Sequence, residues 1–191
     1  MKWFPKYNFI LASQSPRRQQ LLQSLGIEFT VRTKEVEEVW PDDLETEKIP
    51  VYLAELKAQV FKDDLKDNEL LITADTVVCL GKEVLGKPEN FDHACEMLQR
   101  LSGRKHQVIT GVCLTSAHKQ ESFYSVTNVE FKTLTREEIE HYVTNFKPYD
   151  KAGAYGIQEW IGSIGITHIE GSFYNVMGLP IQKLYEYIQS V

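Results

Sequence analysis

Apolar and polar positions along the chain fall into stretches that separate strands from helices. Residues 7–13 form an apolar run that reads as a strand. Ser15 then offers a cap, Pro16 suits the first helical position and Gly26 marks a stop, so a helix is expected between them with Leu21, Leu22 and Leu25 on its apolar face. Residues 27–33 suit the next strand. An acidic loop, 35–47, contains Trp40 and Pro41, and a second helix is expected over 50–65. Residues 70–80, LLITADTVVCL, make a strand that should be buried, since Val, Ile and Thr favour a pleated surface. Gly81 and Gly86 read as turns. A third helix spans 91–101, with Phe91, Ala94, Cys95, Leu98 and Leu101 at helical spacing. Strands follow at 107–115 and 122–133, and Thr135 with Glu138 forms a capping-box pattern that opens a fourth helix. Six of the eleven glycines lie from Gly153 to Gly178, which reads as loops, either at a site or as plain turns. A last helix starts from Pro180. The order β-α-β-α-β-α-β-β-α-β…α predicts an α/β fold with a mixed sheet and no internal repeat or linker.

Composition narrows the class. The 191 residues are 42% apolar and 25% charged, ordinary for a soluble globular chain of one domain or one domain with a lobe. No stretch approaches the roughly 20 apolar residues of a membrane span, and the opening MKWFPKYNFILAS, interrupted by Pro5 and Lys6, resembles a first strand rather than a secretory signal. A cytoplasmic location is expected. The net charge of −6 argues against nonspecific nucleic-acid binding. Cys79, Cys95 and Cys113 form no CxxC, so buried structural thiols are expected rather than zinc ligands or disulfides.

Several positions break the pattern. Asp75 sits in the middle of the apolar strand, where an unpaired carboxylate is costly. It is either a structural Asp at a strand end or a catalytic group. Ser13, Ser15, Arg17 and Arg18 lie between a strand and a helix. Two readings fit: an anion site at a helix start, with guanidiniums able to grip phosphate, or an N-cap followed by two solvated arginines. Lys57 falls on the stripe of Leu53, Leu56, Val60 and Phe61, as a snorkelling lysine or a functional one. The run Gly81-Lys82-Glu83-Val84-Leu85-Gly86-Lys87-Pro88 nearly matches a phosphate loop. Pro88 stands where a hydroxyl residue would be needed, so a P-loop is rejected and the glycines read as turns that present Lys87. Glu37 and Glu38 either hold Mg²⁺ or belong to a solvated acidic loop. The five histidines show no HExxH, and the serines no GxSxG elbow. Cations and acids of this kind together suit a polyphosphate chelated to a divalent metal, with Asp75 placed to deprotonate a water.

These segments resemble the Maf family of nucleoside triphosphate pyrophosphatases. The resemblance rests on LASQSPRRQQLL, the LKA around Lys57, TADTVV, LGKP, HQVITGV, DKAGAYGIQ and GSFYNVMGLP, in the family's order over nearly the whole chain. It implies a single domain over 1–191 with the elongated α/β fold shared with inosine triphosphate pyrophosphatases, two lobes around a cleft. It also implies hydrolysis of a nucleoside triphosphate to the monophosphate and pyrophosphate with Mg²⁺ or Mn²⁺. Asp75 would be the proton acceptor and a metal ligand, and Glu38 would be the acid near metal and nucleotide. Ser13, Arg18, Lys57 and Lys87 would hold phosphate. A homodimer is implied as well.

At Arg17, Thr76 and Gln158 the chain is similar to the branch of that family acting on dTTP and UTP. Chemistry supports the idea for Gln158. Uracil and thymine present acceptor, donor, acceptor along O4, N3 and O2, which an amide can pair. A site missing one methyl contact loses only about 1–3 kcal/mol, so both bases, and modified pyrimidines, would enter. Two alternatives stay open from sequence: a purine or 7-methyl-GTP substrate, and a nucleotide-sensing regulator of cell division.

Overall fold

The computed structural model describes residues 7–190. The reading of Met1 to Lys6 therefore lies outside the described residues. Seven strands form one mixed sheet in the order β2-β1-β3-β5-β6-β7, with β4 paired to β3. They are β1 (Asn8–Leu11), β2 (Phe29–Val31), β3 (Glu69–Leu80), β4 (Glu83–Leu85), β5 (Lys105–Thr115), β6 (Gln120–Phe131) and β7 (Ile166–Glu170). The helices are α1 (Pro16–Ser24), α2 (Ile49–Gln59), α3 (Phe91–Leu101), α4 (Arg136–Phe146), α5 (Trp160–Gly165), α6 (Phe173–Met177) and α7 (Ile181–Ser190). The expected α/β fold with flanking helices is the one found. β1 runs parallel to both β2 and β3, while β3–β4 and β6–β7 are antiparallel.

The chain divides into two compact units: 1–75, 110–125 and 178–191 form the first, 76–109 and 126–177 the second. In the first, Ile10, Leu71 and Cys113 of the sheet pack against Ala54, Ala58 and Phe61. α2 approaches the sheet very closely there. A Cβ on Gly111 of β5 would lie 2.3 Å from the Pro50 carbonyl carbon and the Val51 nitrogen, so only glycine admits the helix backbone. In the second, Leu98 and Leu101 of α3, Tyr142 and Val143 of α4, and Phe131 and Tyr155 share one core. The Thr135–Glu138 capping box forms as expected and starts α4.

Several expectations are corrected. The helix expected over 50–65 stops at Gln59 and tightens into a 3₁₀ turn, Lys62–Asp64. Its end is held from afar: Lys34 Nζ donates to the Val60 carbonyl at 2.6 Å, pairs with Asp64 and lies over the Phe61 ring. The α2 stripe is Leu53, Ala54, Ala58 and Phe61, whereas Val60 is exposed and Leu56 only half-buried. Phe91 is likewise exposed at the start of α3, and Cys95 is half-buried, unlike the fully buried Cys79 and Cys113. The stretch between Gly81 and Gly86 carries β4, so the near-match to a phosphate loop is a hairpin arm. The glycine-rich region from 153 to 178 is not loop alone: α5, β7 and α6 lie inside it. Gly162, inside α5, sits where a Cβ would meet the Ile157 carbonyl.

Candidate active site

The first unit gathers most of the residues singled out by sequence. α1 starts where the sequence indicates: Ser15 Oγ accepts from Arg18 N at 3.5 Å, and Ser13 Oγ accepts from Ser15 N at 3.2 Å. Both hydroxyls thus shape the junction of strand and helix. Arg18 reaches across the fold, with Nε donating to the Gly178 carbonyl at 2.8 Å. Burial draws its guanidinium below its ordinary value, Asp75 and Glu38 push it back up, and neighbouring Arg17 pulls it down again. An arginine so placed keeps its charge and lies in the field of both carboxylates.

Two periodicities bring Lys57 to Asp75. In β3, Thr73 donates its hydroxyl to the Ala54 carbonyl of α2 at 2.6 Å. Asp75, two residues on, shares that face of the strand, and Lys57, three residues after Ala54, shares that side of the helix. Lys57 Nζ meets Asp75 Oδ1 at 2.6 Å and Glu38 Oε1 at 2.8 Å. One ammonium therefore holds two carboxylates. Asp75 is buried, at 8% exposure, while the Glu38 side chain is 43% exposed in its loop. Glu37 is exposed, and it is Glu38 that turns to Lys57. Snorkelling does not describe Lys57, whose charged end points into this cluster rather than to water.

The donor set fits a divalent ion delivered with its ligand. Mg²⁺ binds through one or two carboxylates plus phosphate oxygens, and Asp75 and Glu38 already converge on a single cation. Among the described residues no group of three or more His, Cys, Asp or Glu side chains gathers into a site of its own.

Thr76, Lys87 and Gln158 belong to the second unit. Thr76 follows Asp75 in β3 and is half-buried, on the other face by strand alternation. Lys87 is exposed just after β4. Gly153 N donates to the Gly86 carbonyl at 3.0 Å, which ties the segment before Lys87 to the 150–159 segment. There Gln158 stands exposed on a turn closed by Glu159 N donating to the Gly156 carbonyl at 3.0 Å.

Around that turn lies a network the sequence reading did not single out. Lys151, buried, pairs with Asp150 at 2.7 Å and Glu159 at 3.2 Å. The Tyr142 hydroxyl donates to Glu159 Oε2 and accepts from Gly156 N at 3.0 Å. Lys151 lies within DKAGAYGIQ and was legible as part of that segment. Tyr142 carries no such signal, since its place in α4 is indistinguishable from a core aromatic. His106 is a core histidine, with its Nε2 hydrogen-bonded to the Tyr155 hydroxyl at 2.8 Å.

A family model described as Maf-like protein matches residues 8–191. The chain belongs to the Maf-like family. Among its relatives, a protein of Bacteroides thetaiotaomicron named dTTP/UTP pyrophosphatase is 55% identical over 181 residues, 94% of each chain. One of Flavobacterium psychrophilum with the same name is 52% identical over 187 residues, 98% of this chain and 96% of that one. Among solved structures, the Staphylococcus aureus Ham1 protein aligns with a TM-score of 0.56 at 16% identity, covering 96% of this chain and 98% of that one. That likeness supports the same fold for this Maf-like chain. No helix among its described residues is long and apolar enough to cross a membrane.

Proposed function

We propose that this protein is a nucleoside triphosphate pyrophosphatase that hydrolyses dTTP and UTP, and modified pyrimidine nucleotides of the same base edge, to the monophosphate and pyrophosphate. The observation that carries this reading is the buried Asp75 carboxylate held with Glu38 on one lysine, beside Arg18. Relatives named for this activity at 49–55% identity support it.

Asp75 takes a proton from a water, whose oxygen attacks the α-phosphorus as the bond to the pyrophosphate oxygen breaks. Lys57 orients Asp75 and, with Arg18, Lys87, Ser13 and Ser15, balances charge gathering on the departing pyrophosphate. Asp75 and Glu38 would hold Mg²⁺ or Mn²⁺, which when bound supplies neutralisation of the phosphate charges. Arg17 and Thr76 contribute to substrate choice, and Gln158 pairs O4 and N3–H of the base. The proposal takes 1–191 as one functional domain acting in the cytoplasm as a homodimer.

Pyrophosphate release with Mg²⁺ from dTTP, UTP, CTP, ATP, GTP and 7-methyl-GTP tests it, with Asp75→Asn alongside. Release from dTTP and UTP that falls by about 10²–10⁴-fold in the variant is expected. Wild-type turnover in Asp75→Asn would remove Asp75 as the base. Release from 7-methyl-GTP instead would keep the chemistry and discard the pyrimidine assignment. Release from no nucleotide would sink the enzyme reading in favour of a regulatory role.

A further inference from the structure

The charges gathered around Asp75 are already balanced. Asp75 and Glu38 contribute two carboxylates, Lys57 lies between them at 2.6 Å and 2.8 Å, and Arg18 sits in the field of both. Two negative groups thus face two positive ones, and Arg17 adds a further cation beside Arg18. A divalent cation is attracted by carboxylates only as far as their charge is not already answered. Arriving alone, it would meet a cluster without net negative charge. It would also meet the Lys57 ammonium at the point on which both carboxylate oxygens converge.

The three side chains are not held alike. Lys57 projects from α2, which is pinned to the sheet by the Thr73 hydroxyl on the Ala54 carbonyl and by the close approach at Gly111. Asp75 is fixed in β3, and its side chain is 12% exposed. Glu38 comes from residues 32–41, which have no regular structure, and its side chain is 43% exposed. The contact between Lys57 and Glu38 is therefore the exchangeable one. Mg²⁺ needs oxygens at about 2.0–2.1 Å, closer than the 2.6 Å and 2.8 Å that suit the ammonium. For a metal to take that place the oxygens must draw in and the ammonium must leave, because two cations so close repel strongly. A triphosphate alters the balance: it brings several negative charges, and its oxygens accept readily from an ammonium.

We propose that Lys57 is a stand-in cation. Until a nucleotide binds, its ammonium holds the carboxylates of Asp75 and Glu38 together and keeps a free divalent ion from binding between them. It yields that place when a triphosphate offers it phosphate oxygens instead. This rests on the reading that Asp75 and Glu38 are the pair that holds the metal. The role comes before the one Lys57 has in turnover, and it gives the site two properties. The two carboxylates stay paired and in position instead of repelling each other. Metal and nucleotide become coupled, each raising the affinity for the other by the same factor, so ions offered without a triphosphate bind poorly.

The test is Mn²⁺ binding without nucleotide, read from the loss of the free-ion electron paramagnetic resonance signal and independent of turnover. The proteins are wild type, Lys57→Gln, Glu38→Gln and the double variant. Lys57→Gln should bind Mn²⁺ about tenfold or more tightly than wild type, and adding Glu38→Gln should abolish the gain. Mere loss of a nearby positive charge would raise affinity in the Glu38→Gln background too, so an equal gain there overturns the stand-in role. Wild type binding Mn²⁺ as tightly as Lys57→Gln also overturns it, and the metal reading survives if Glu38→Gln weakens that binding. If neither protein binds Mn²⁺ alone, the stand-in role is again wrong. The same titration with a dUTP analogue carrying a non-hydrolysable α,β linkage then judges the metal reading. Bound Mn²⁺ that Glu38→Gln weakens keeps that reading, and bound Mn²⁺ indifferent to Glu38→Gln ends it. Should Lys57→Gln prove insoluble, wild type is titrated with and without the analogue. Mn²⁺ held about tenfold or more tightly with the analogue is expected, and equal affinity overturns the proposal.

Discussion

At the scale of single residues, Asp75 and Tyr142 mark the two ends of what a sequence reveals. Asp75 is conspicuous because a carboxylate in an apolar strand demands a partner, and Lys57 supplies it at 2.6 Å. Tyr142 is silent because a buried tyrosine in helical register looks like packing, and only its hydroxyl's two partners give it another role. His106 carries no motif in the sequence, and only the structure shows it buried in the core. Burial lowers its pKa from 6.5 to about 4. The folded chain thus binds fewer protons than the unfolded one between these values. Stability is fully present above the unfolded pKa and is lost as pH falls toward the folded one, by up to about 3 kcal/mol from this group. Urea unfolding at about pH 7.5 and about pH 4.5 should show a smaller pH-dependent loss in His106→Gln than in wild type. Equal losses in the two proteins would mean that His106 does not carry this sensitivity.

At the scale of elements, local signals work where the cause is local. Ser15, Pro16 and Gly26 bound α1, and Thr135 with Glu138 starts α4, because caps satisfy backbone groups within a few residues. The early end of α2 has a distant cause, the Lys34 side chain on the Val60 carbonyl, and no local rule contains it. The same holds for Gly111. Within β5 it reads as an ordinary weak point, yet it is where α2 meets the sheet backbone. Gly111→Ala should destabilise the protein by about 3 kcal/mol or more, since the new methyl meets backbone that cannot rotate aside. Because α2 carries Lys57, any folded fraction should also lose turnover through a displaced Lys57–Asp75 pair. Denaturant midpoints and turnover per folded molecule measure the two effects separately. Loss of stability with full turnover would show that α2 can shift without moving the lysine.

At the scale of the whole molecule, the mixed sheet was legible from the order of strands and helices, whereas a two-part chain was implied only by the family resemblance and not by the pattern of the sequence itself. Three of its boundaries fall inside β3, β5 and β6, where composition carries no trace of them, and the fourth falls at Met177–Gly178, at the end of the glycine-rich region. Ligand binding, by contrast, acts on the stability of the chain as a whole, because a nucleotide that binds only the folded state shifts the folding equilibrium by mass action. At a hundredfold excess over Kd the gain is about 2.7 kcal/mol, and for a chain of this length that is a Tm rise of roughly 5–10 °C. A dUTP analogue with a non-hydrolysable α,β linkage and Mg²⁺ should produce this rise. A chelator should shrink it, because the triphosphate then approaches the Asp75 and Glu38 carboxylates with its charge uncompensated. The matching ATP analogue at the same concentration should give a smaller rise, since adenine presents an amino donor and an unprotonated N1 where uracil presents O4 and N3–H. An equal rise with both analogues would retain triphosphate binding and remove base selectivity at the binding step. A rise unaffected by the chelator would remove the metal from substrate binding and leave the cations around Lys57 and Arg18 to hold the phosphates alone.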